Sequence, residues 1–270
     1  MLSSRELCLY LLFTLLGIAM PEYAVFAEEP APIQEESGFV KEGELDLDAA
    51  VAWFEELYRA DSSIAEVEMT VTRPRRTHTM RMQVWTEGTE KSLVVIQSPP
   101  REKGMSTLKV DKNLWNYMPR IKRTIRVPPS MMLTSWMGSD FTNDDLVRES
   151  SMTDDYDYET IGQSASPPGW RVRFTAKADT VGLWSKIELI LSEDGRLPVQ
   201  AAYYDRRGRL SRTIYWDEVK MLGGRELPTK MTLIPEDEEG NKTVMQYLEI
   251  KFDVALPANL FSLSRLEQGS

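Results

Sequence analysis

Residues 114–146 read LWNYMPRIKRTIRVPPSMMLTSWMGSDFTNDDL. The stretch opens as a pair of strands and breaks at Pro128-Pro129, where two fixed φ angles and two missing backbone donors end regular structure. It then places Met131, Met132, Leu133, Trp136, Met137 and Phe141 on irregular backbone. This run is too short and too broken to cross a bilayer, which takes about 20 apolar residues. Side chains this large must rest either on the protein's own interior or on a bound apolar molecule. In the first case they complete an ordinary core. In the second they line an adaptable cavity, a role that suits unbranched methionine. The residues alone favour neither.

Working outward, one helix is predicted before this stretch. Leu47, Ala50, Val51, Phe54, Leu57 and Tyr58 recur at three and four over residues 46–60, with Asp46 or Asp48 able to cap the first amides. Nearly everything else alternates with period two, as in Val67-Met69-Val71, Met80-Met82-Val84, Trp170-Val172-Phe174 and Ile187-Leu189-Leu191. Glu87-Gly88, Glu193-Asp194-Gly195 and Arg207-Gly208 mark tight turns between such runs. About 11 to 13 strands in an antiparallel meander are expected. Leu93-Val94-Val95-Ile96 is apolar on both faces and predicts a strand covered twice. A meander this wide must twist and curl. The expected fold class is mainly β: an incomplete, strongly curved antiparallel barrel, with an N-terminal helix and a loop lid on its concave face.

The ends and the charge set further bounds. Residues 1–27 read as a secretory signal: Arg5, an apolar run over 7–20, and Val25-Phe26-Ala27 before Glu28. Cleavage would remove Cys8, the single cysteine, so no disulfide or thiolate metal site is expected in the mature chain. Cys8 lies inside the apolar run, not just after it, so it does not read as a lipid anchor. Losing Arg5, Glu6 and Glu22 changes the net charge from −10 to −9, which argues against nucleic acid and against a mainly electrostatic grip on anionic lipid. Residues 28–44 read as a disordered tether, 45–266 as one domain and 267–270 as a tail.

Residues suited to bond chemistry are sparse. His78, the single histidine, falls in a basic run at a predicted hairpin tip and reads as surface. Gly162-Gln163-Ser164-Ala165-Ser166 lacks the last glycine of a nucleophile elbow and leads into Pro167-Pro168 instead of a helix. The acidic run 154–159 has no glycine to bend it into a compact calcium loop. No phosphate loop or dinucleotide fingerprint occurs. No catalytic residue, cofactor or metal is expected.

Several motifs in order carry a family likeness. Lys103-Gly104-Met-Ser-Thr-Leu108, Leu114-Trp115-Asn116-Tyr117-Met118-Pro119 and Met137-Gly138-Ser139-Asp140-Phe141, followed by Thr142-Asn143-Asp144-Asp145-Leu146, resemble the outer-membrane lipoprotein-sorting family of LolA/LolB-like carriers. The resemblance is to the branch with a GSDF…DL signature, and extends through Tyr204-Asp205-Arg-Arg-Gly208 and Leu256-Pro257-Ala-Asn-Leu-Phe261. It implies an incomplete antiparallel barrel in the periplasm whose concave face holds acyl chains of a lipid or lipoprotein. The partners it implies are an inner-membrane exporter, an outer-membrane acceptor, or both. Well-known members regulate the lid through an arginine near the mature N-terminus, and no position here matches it.

On that basis the expected ligand surface comprises Met80, Met82 and Val84 on one strand, and Leu108, Trp115 and Tyr117 on a following pair. Met131, Met132, Leu133, Trp136 and Phe141 are expected to supply the lid, with Arg123 a candidate polar contact because it shares strand parity with Ile121 and Ile125. Gly138, Ser139 and Asp140 would anchor the lid through a turn, and Thr142 would cap a short helix after it. The competing readings are a lipid sensor or regulatory subunit of the same fold, a lipid hydrolase using His78 or Ser164, and a purely structural module.

Overall fold

The computed structural model describes residues 38–148, 152–180 and 182–268; the predicted signal and most of the predicted tether lie outside them. Ser37–Ser270 form one compact unit. It starts earlier than residue 45, because β1 (Val40–Lys41) and β2 (Glu44–Leu45) make a small hairpin within the stretch expected to be tether. The Phe39 amide donates to the Asp194 carbonyl at 2.8 Å, and the Phe39 ring lies 6.2 Å from that of Trp53. One aromatic anchor thus orders a segment whose average composition is polar.

Helix α1 (Leu47–Glu56) is capped by Asp46, whose Oδ1 accepts the Ala49 amide at 3.3 Å. It turns Ala50 and Val51 into the core, where both are fully buried.

The sheet has 13 strands, every neighbouring pair antiparallel. The first group is β3 (Ser62–Arg73), β4 (Arg76–Glu87), β5 (Lys91–Ser98), β6 (Ser106–Val110), β7 (Asn113–Met118) and β8 (Arg123–Arg126). The second is β9 (Tyr156–Ala165), β10 (Pro168–Ala176), β11 (Trp184–Leu191), β12 (Pro198–Asp205), β13 (Leu210–Leu222), β14 (Arg225–Pro235) and β15 (Lys242–Phe252). Both groups are meanders, joined where β15 pairs with β3, so β8 and β9 are the free edges of a curved sheet that does not close. Gly169 in β10 shows how tightly neighbouring backbones meet: a Cβ there would stand 1.9 Å from the Leu191 carbonyl oxygen.

Period-two patterning assigns the faces. Val67, Met69, Met80, Met82, Val94 and Ile96 point inward with Val172, Phe174 and Leu189 from the far group, and α1 and the lid pack on this side. Leu93 and Val95 point outward, where Leu108, Tyr117, Leu260 and Leu266 meet them. The cover here is the C-terminal segment, ending in α4 (Leu263–Gln268). The double-sided run in β5 therefore has a physical occupant on each face.

Leu260 is 3% exposed, and its truncation leaves a hole beneath that C-terminal cover. Leu260→Ala is expected to lower stability by about 2–5 kcal/mol. Urea unfolding of the two proteins measures this; an unchanged midpoint would mean the outer cluster contributes nothing.

Candidate functional site: a cavity beneath a latched lid

Between β8 and β9 the chain crosses the inner face as a lid, through a 3-10 turn (Pro129–Met131), α2 (Asn143–Arg148) and α3 (Met152–Asp155). Its centre is a tight loop. Ser135 and Thr142 pair as an antiparallel bridge, and the Trp136 amide donates to the Phe141 carbonyl at 2.8 Å. Met137 (φ 50°) and Gly138 (φ 73°) turn left-handed between them. A Cβ on Gly138 would meet nothing within 4 Å, so backbone conformation and not crowding selects glycine there. Ser139 Oγ donates to the Trp136 carbonyl at 2.7 Å and accepts the Phe141 amide at 3.2 Å. Trp136 and Phe141 are thereby driven inward, 4% and 7% exposed, and Trp136 Nε1 donates to Thr107 Oγ1 at 3.0 Å.

Two arginines fasten this loop to the sheet. Arg73, at the end of β3, bonds Asp140 at 3.0 Å and donates to the Gly138 carbonyl at 2.9 Å. Asp140 also accepts the Thr243 hydroxyl at 2.6 Å from β15. Arg212, on β13, holds Asp145 with two bonds of 2.7 Å and packs over the edge-on pair of Trp184 and Tyr203, 4.4 Å from each centroid. Asp145 in turn accepts the Thr142 amide and hydroxyl, while Thr142 Oγ1 accepts the Asp145 amide, a reciprocal cap that starts α2. Burial alone would raise the Asp145 pKa, but the Arg212 charge and the bonds from Arg212 and Thr142 outweigh it, so the carboxyl sits below its ordinary value.

Beneath this lid lies a cavity of about 130 Å³. Its floor is Val67, Met82, Val84 and Val94, its roof Trp136 and Phe141. One wall comes from α1 through Phe54 and Tyr58, and another from β13–β15 through Trp216, Met231, Met245 and Tyr247. Tyr58 stacks on Tyr247 at 4.6 Å, and Phe54 meets Trp216 edge-on at 6.2 Å. A polar end carries Ser63 and Thr86, whose hydroxyls bond each other at 2.7 Å, together with Arg59. The indole Nε1 of Trp216 is buried with no hydrogen-bond partner among the described residues. Phe54, Phe141 and Trp216 also bound a second space of about 40 Å³ toward Met152, Tyr156 and Ile187. A third and larger cleft, about 950 Å³, opens between the start of the lid (Pro128, Met132, Leu133) and residues 178–180, with Arg126 and Arg206 at its sides.

The residues expected to form a ligand surface divide three ways. Met82, Val84, Trp136 and Phe141 meet around the cavity, and Met80 is buried in the same inner core without lining it. Leu108, Trp115 and Tyr117 belong to the outer cluster under the C-terminal segment and face away from the cavity, because Leu108 pairs with outward Leu93 and Trp115 pairs with Leu108. This corrects the assignment of those three to the inner face. On the lid, Met132 packs against Leu114, Val127 and Val147, and Leu133 lines the larger cleft. Met131 and Leu133 are each 50% exposed. Arg123 is exposed on the edge strand and contacts none of these spaces. The lid anchor residues Gly138, Ser139 and Asp140 do lie together, as described above.

His78 on β4 and Ser164 on β9 are separated by most of the sheet and share no cavity. Asp154 and Asp155 close α3, while Asp157 and Glu159 lie in β9, so the acidic run is helix end and strand, not a loop. Among the described residues no group of three or more His, Cys, Asp or Glu side chains is placed to hold a metal ion.

Sequence reasoning missed Arg73, Arg212 and the β13–β15 wall. The signal for both arginines was present. Arg73 continues the inward parity of Val67, Met69 and Val71, and Arg212 that of Ile214 and Trp216, so each is a cation on an apolar face.

Solved structures with this architecture include a DUF1329 family protein from Desulfovibrio piger (TM-score 0.74, 23% identity, 81% of this chain and 96% of that one). A domain assigned to outer membrane lipoprotein sorting from Vibrio parahaemolyticus matches at TM-score 0.70 and 20% identity, over 82% and 96% of the two chains. A LolA superfamily protein from Nitrosomonas europaea matches at 0.67 and 23%, over 80% and 97%. The fold is therefore LolA-like: mostly β, with one curved antiparallel sheet that does not close into a barrel. The chain belongs to the family whose model, described as an uncharacterized protein, matches residues 88–268, more than half of its length. No curated protein matches the chain.

The Asp145 latch has a defined pH signature. Its folded pKa is depressed, so its contribution is fully present above the unfolded carboxylate value of about 3.9 and is lost as pH falls through the lower folded value. Asp145→Asn leaves Arg212 facing an uncharged amide and is expected to cost about 3–5 kcal/mol at neutral pH. The difference from the parent protein should shrink toward strongly acid pH. Denaturant unfolding across pH measures it; a constant difference would show that the carboxylate charge is not what holds the lid.

Proposed function

We propose that this protein is a periplasmic carrier, exported by a cleaved signal over residues 1–27, that takes the acyl chains of a lipid or lipoprotein into the space beneath its lid. It would pass them toward an outer-membrane acceptor or an inner-membrane exporter. The observation that carries this reading is the apolar cavity of about 130 Å³ roofed by Trp136 and Phe141 on a loop held by two ion pairs. The fold shared with lipoprotein-sorting proteins supports it.

A void near 150 Å³ lined by aliphatic and aromatic groups accommodates a molecule of about benzene size. With the lid closed, the space therefore suits only a few methylenes, and a full acyl chain requires Trp136 and Phe141 to withdraw. Each methylene buried contributes about 0.8 kcal/mol, so a long chain recovers what the departing rings give up. Met82, Met231 and Met245 re-pack around varied chains because methionine is unbranched and flexible. A lipid ester carbonyl would satisfy the buried Trp216 Nε1 donor, which otherwise costs about 1–3 kcal/mol. No bond-making step is assigned to any residue.

Ala65 lines the cavity and is 3% exposed. Ala65→Leu should occupy part of the void, cost no more than about 1–3 kcal/mol of stability, and reduce co-purifying lipid several-fold. Native mass spectrometry of both proteins purified from their own envelope measures the lipid. Equal lipid in the two, with the fold intact by circular dichroism, would remove this cavity from the site.

A further inference from the structure

The acidic net charge conceals one strongly basic, apolar edge. From Lys112 to Ser139 the sequence contains no aspartate or glutamate, yet it carries Lys112, Arg120, Lys122, Arg123 and Arg126. All five are exposed, and among the described residues none of them pairs with a carboxylate. Elsewhere surface cations commonly do, as Arg81 does with Glu66 and Glu68, and Arg209 with Asp205. The same stretch holds four large apolar side chains open to solvent: Ile121 (56%), Ile125 (42%), Met131 (50%) and Leu133 (50%). Ile121 stands in the turn joining β7 and β8, between Arg120 and Lys122. The free edge strand and the start of the lid thus present aliphatic groups interleaved with cations, of which Arg126 donates to the neutral Asn113 side chain. Glu267, the carboxylate in contact with β8, accepts the Thr124 hydroxyl on the outer face that Thr124 shares with Arg126, whereas Arg123 and Ile125 point to the opposite face.

We infer that this edge docks on an anionic bilayer surface. The aliphatic tips enter the interfacial layer while the arginines and lysines stay at phosphate level, an arrangement in which each cation adds to binding and long side chains extend to the charged headgroups. The larger cleft between the start of the lid and residues 178–180 has Arg126, Pro128 and Leu133 on this side and Asp144, Asp155 and Asp179 further in, so docking brings this side of its mouth against the bilayer. The inference deepens the carrier reading and rests on it for its purpose, but it is tested separately.

Co-sedimentation of the full-length chain with phosphatidylcholine vesicles, with and without phosphatidylglycerol, tests it, comparing variants that share the same apolar N-terminal run. Binding should require phosphatidylglycerol and weaken as salt rises. Replacing Arg120, Lys122 and Arg123 together by serine should reduce it about a hundredfold, and Ile121→Ser about tenfold. Arg75→Ser with Arg76→Ser, at the β3–β4 hairpin, should leave it unchanged. Co-purifying lipid should persist in the triple variant, so failure here is distinct from failure of the cavity. Binding that ignores phosphatidylglycerol, survives the triple change, or falls equally with Arg75 and Arg76 overturns the inference; the edge would then be left to a protein strand.

Discussion

The chain enters and leaves its sheet at the middle. β3 and β15 are the first and last strands of the sheet in sequence, yet they are hydrogen-bonded neighbours, so each meander grows outward to an edge in mid-chain. The segment between those edges must span the whole sheet. Crossing the inner face buries apolar side chains against the strands, so residues 127–148 and 152–155 become a lid by topology before any ligand is considered. The curl that a sheet of this width adopts makes the space beneath it concave.

A lid held only by apolar packing would add to the core and stay shut. Here Trp136 and Phe141 provide the packing, while Arg73–Asp140 and Arg212–Asp145 set the position. Opening exposes both members of each pair to water together. That costs far less than stripping one member away, because the lost attraction is returned as hydration. The pairs therefore fix where the lid sits without fixing it permanently. Their anchors are spread across the sheet, Arg73 on β3 and Arg212 on β13, which holds two separate points of the loop.

Much of this fold was legible in the sequence because period-two patterning and tight turns are local signals. The meander, the helix and the doubly covered β5 all follow from residues within a few positions of one another. The site was less legible. Leu108 and Tyr117 are as apolar as Val67, and nothing local says which side of a sheet an apolar face will cover when both sides are covered. That depends on a C-terminal segment more than 130 residues away, whose Leu260 and Leu266 claim the outer face. The arginines show the converse. Attention to Arg123 rested on parity with Ile121 and Ile125, but those isoleucines are exposed, so the parity indicated an open edge. The same rule applied to Arg73 and Arg212, whose neighbours are buried, identifies both latches.

Trp136 and Phe141 do the work in the closed state that hydrocarbon would do in the loaded one. Both are large, buried and carried on a loop whose backbone is held internally by Ser135, Ser139 and Thr142, except at Asp140, whose amide donates to Thr243 on β15 and is exposed to water when the loop withdraws. Withdrawing the rings and admitting an acyl chain exchanges one apolar filling for another, with little net change in buried area. An exchange so nearly balanced suits the carrier proposed above, because a deep, permanently empty cavity would hold hydrocarbon more tightly by about 0.8 kcal/mol for each methylene buried. On that reading, the small void seen with the lid closed is what two aromatic rings leave when they stand in for the chain they would give way to.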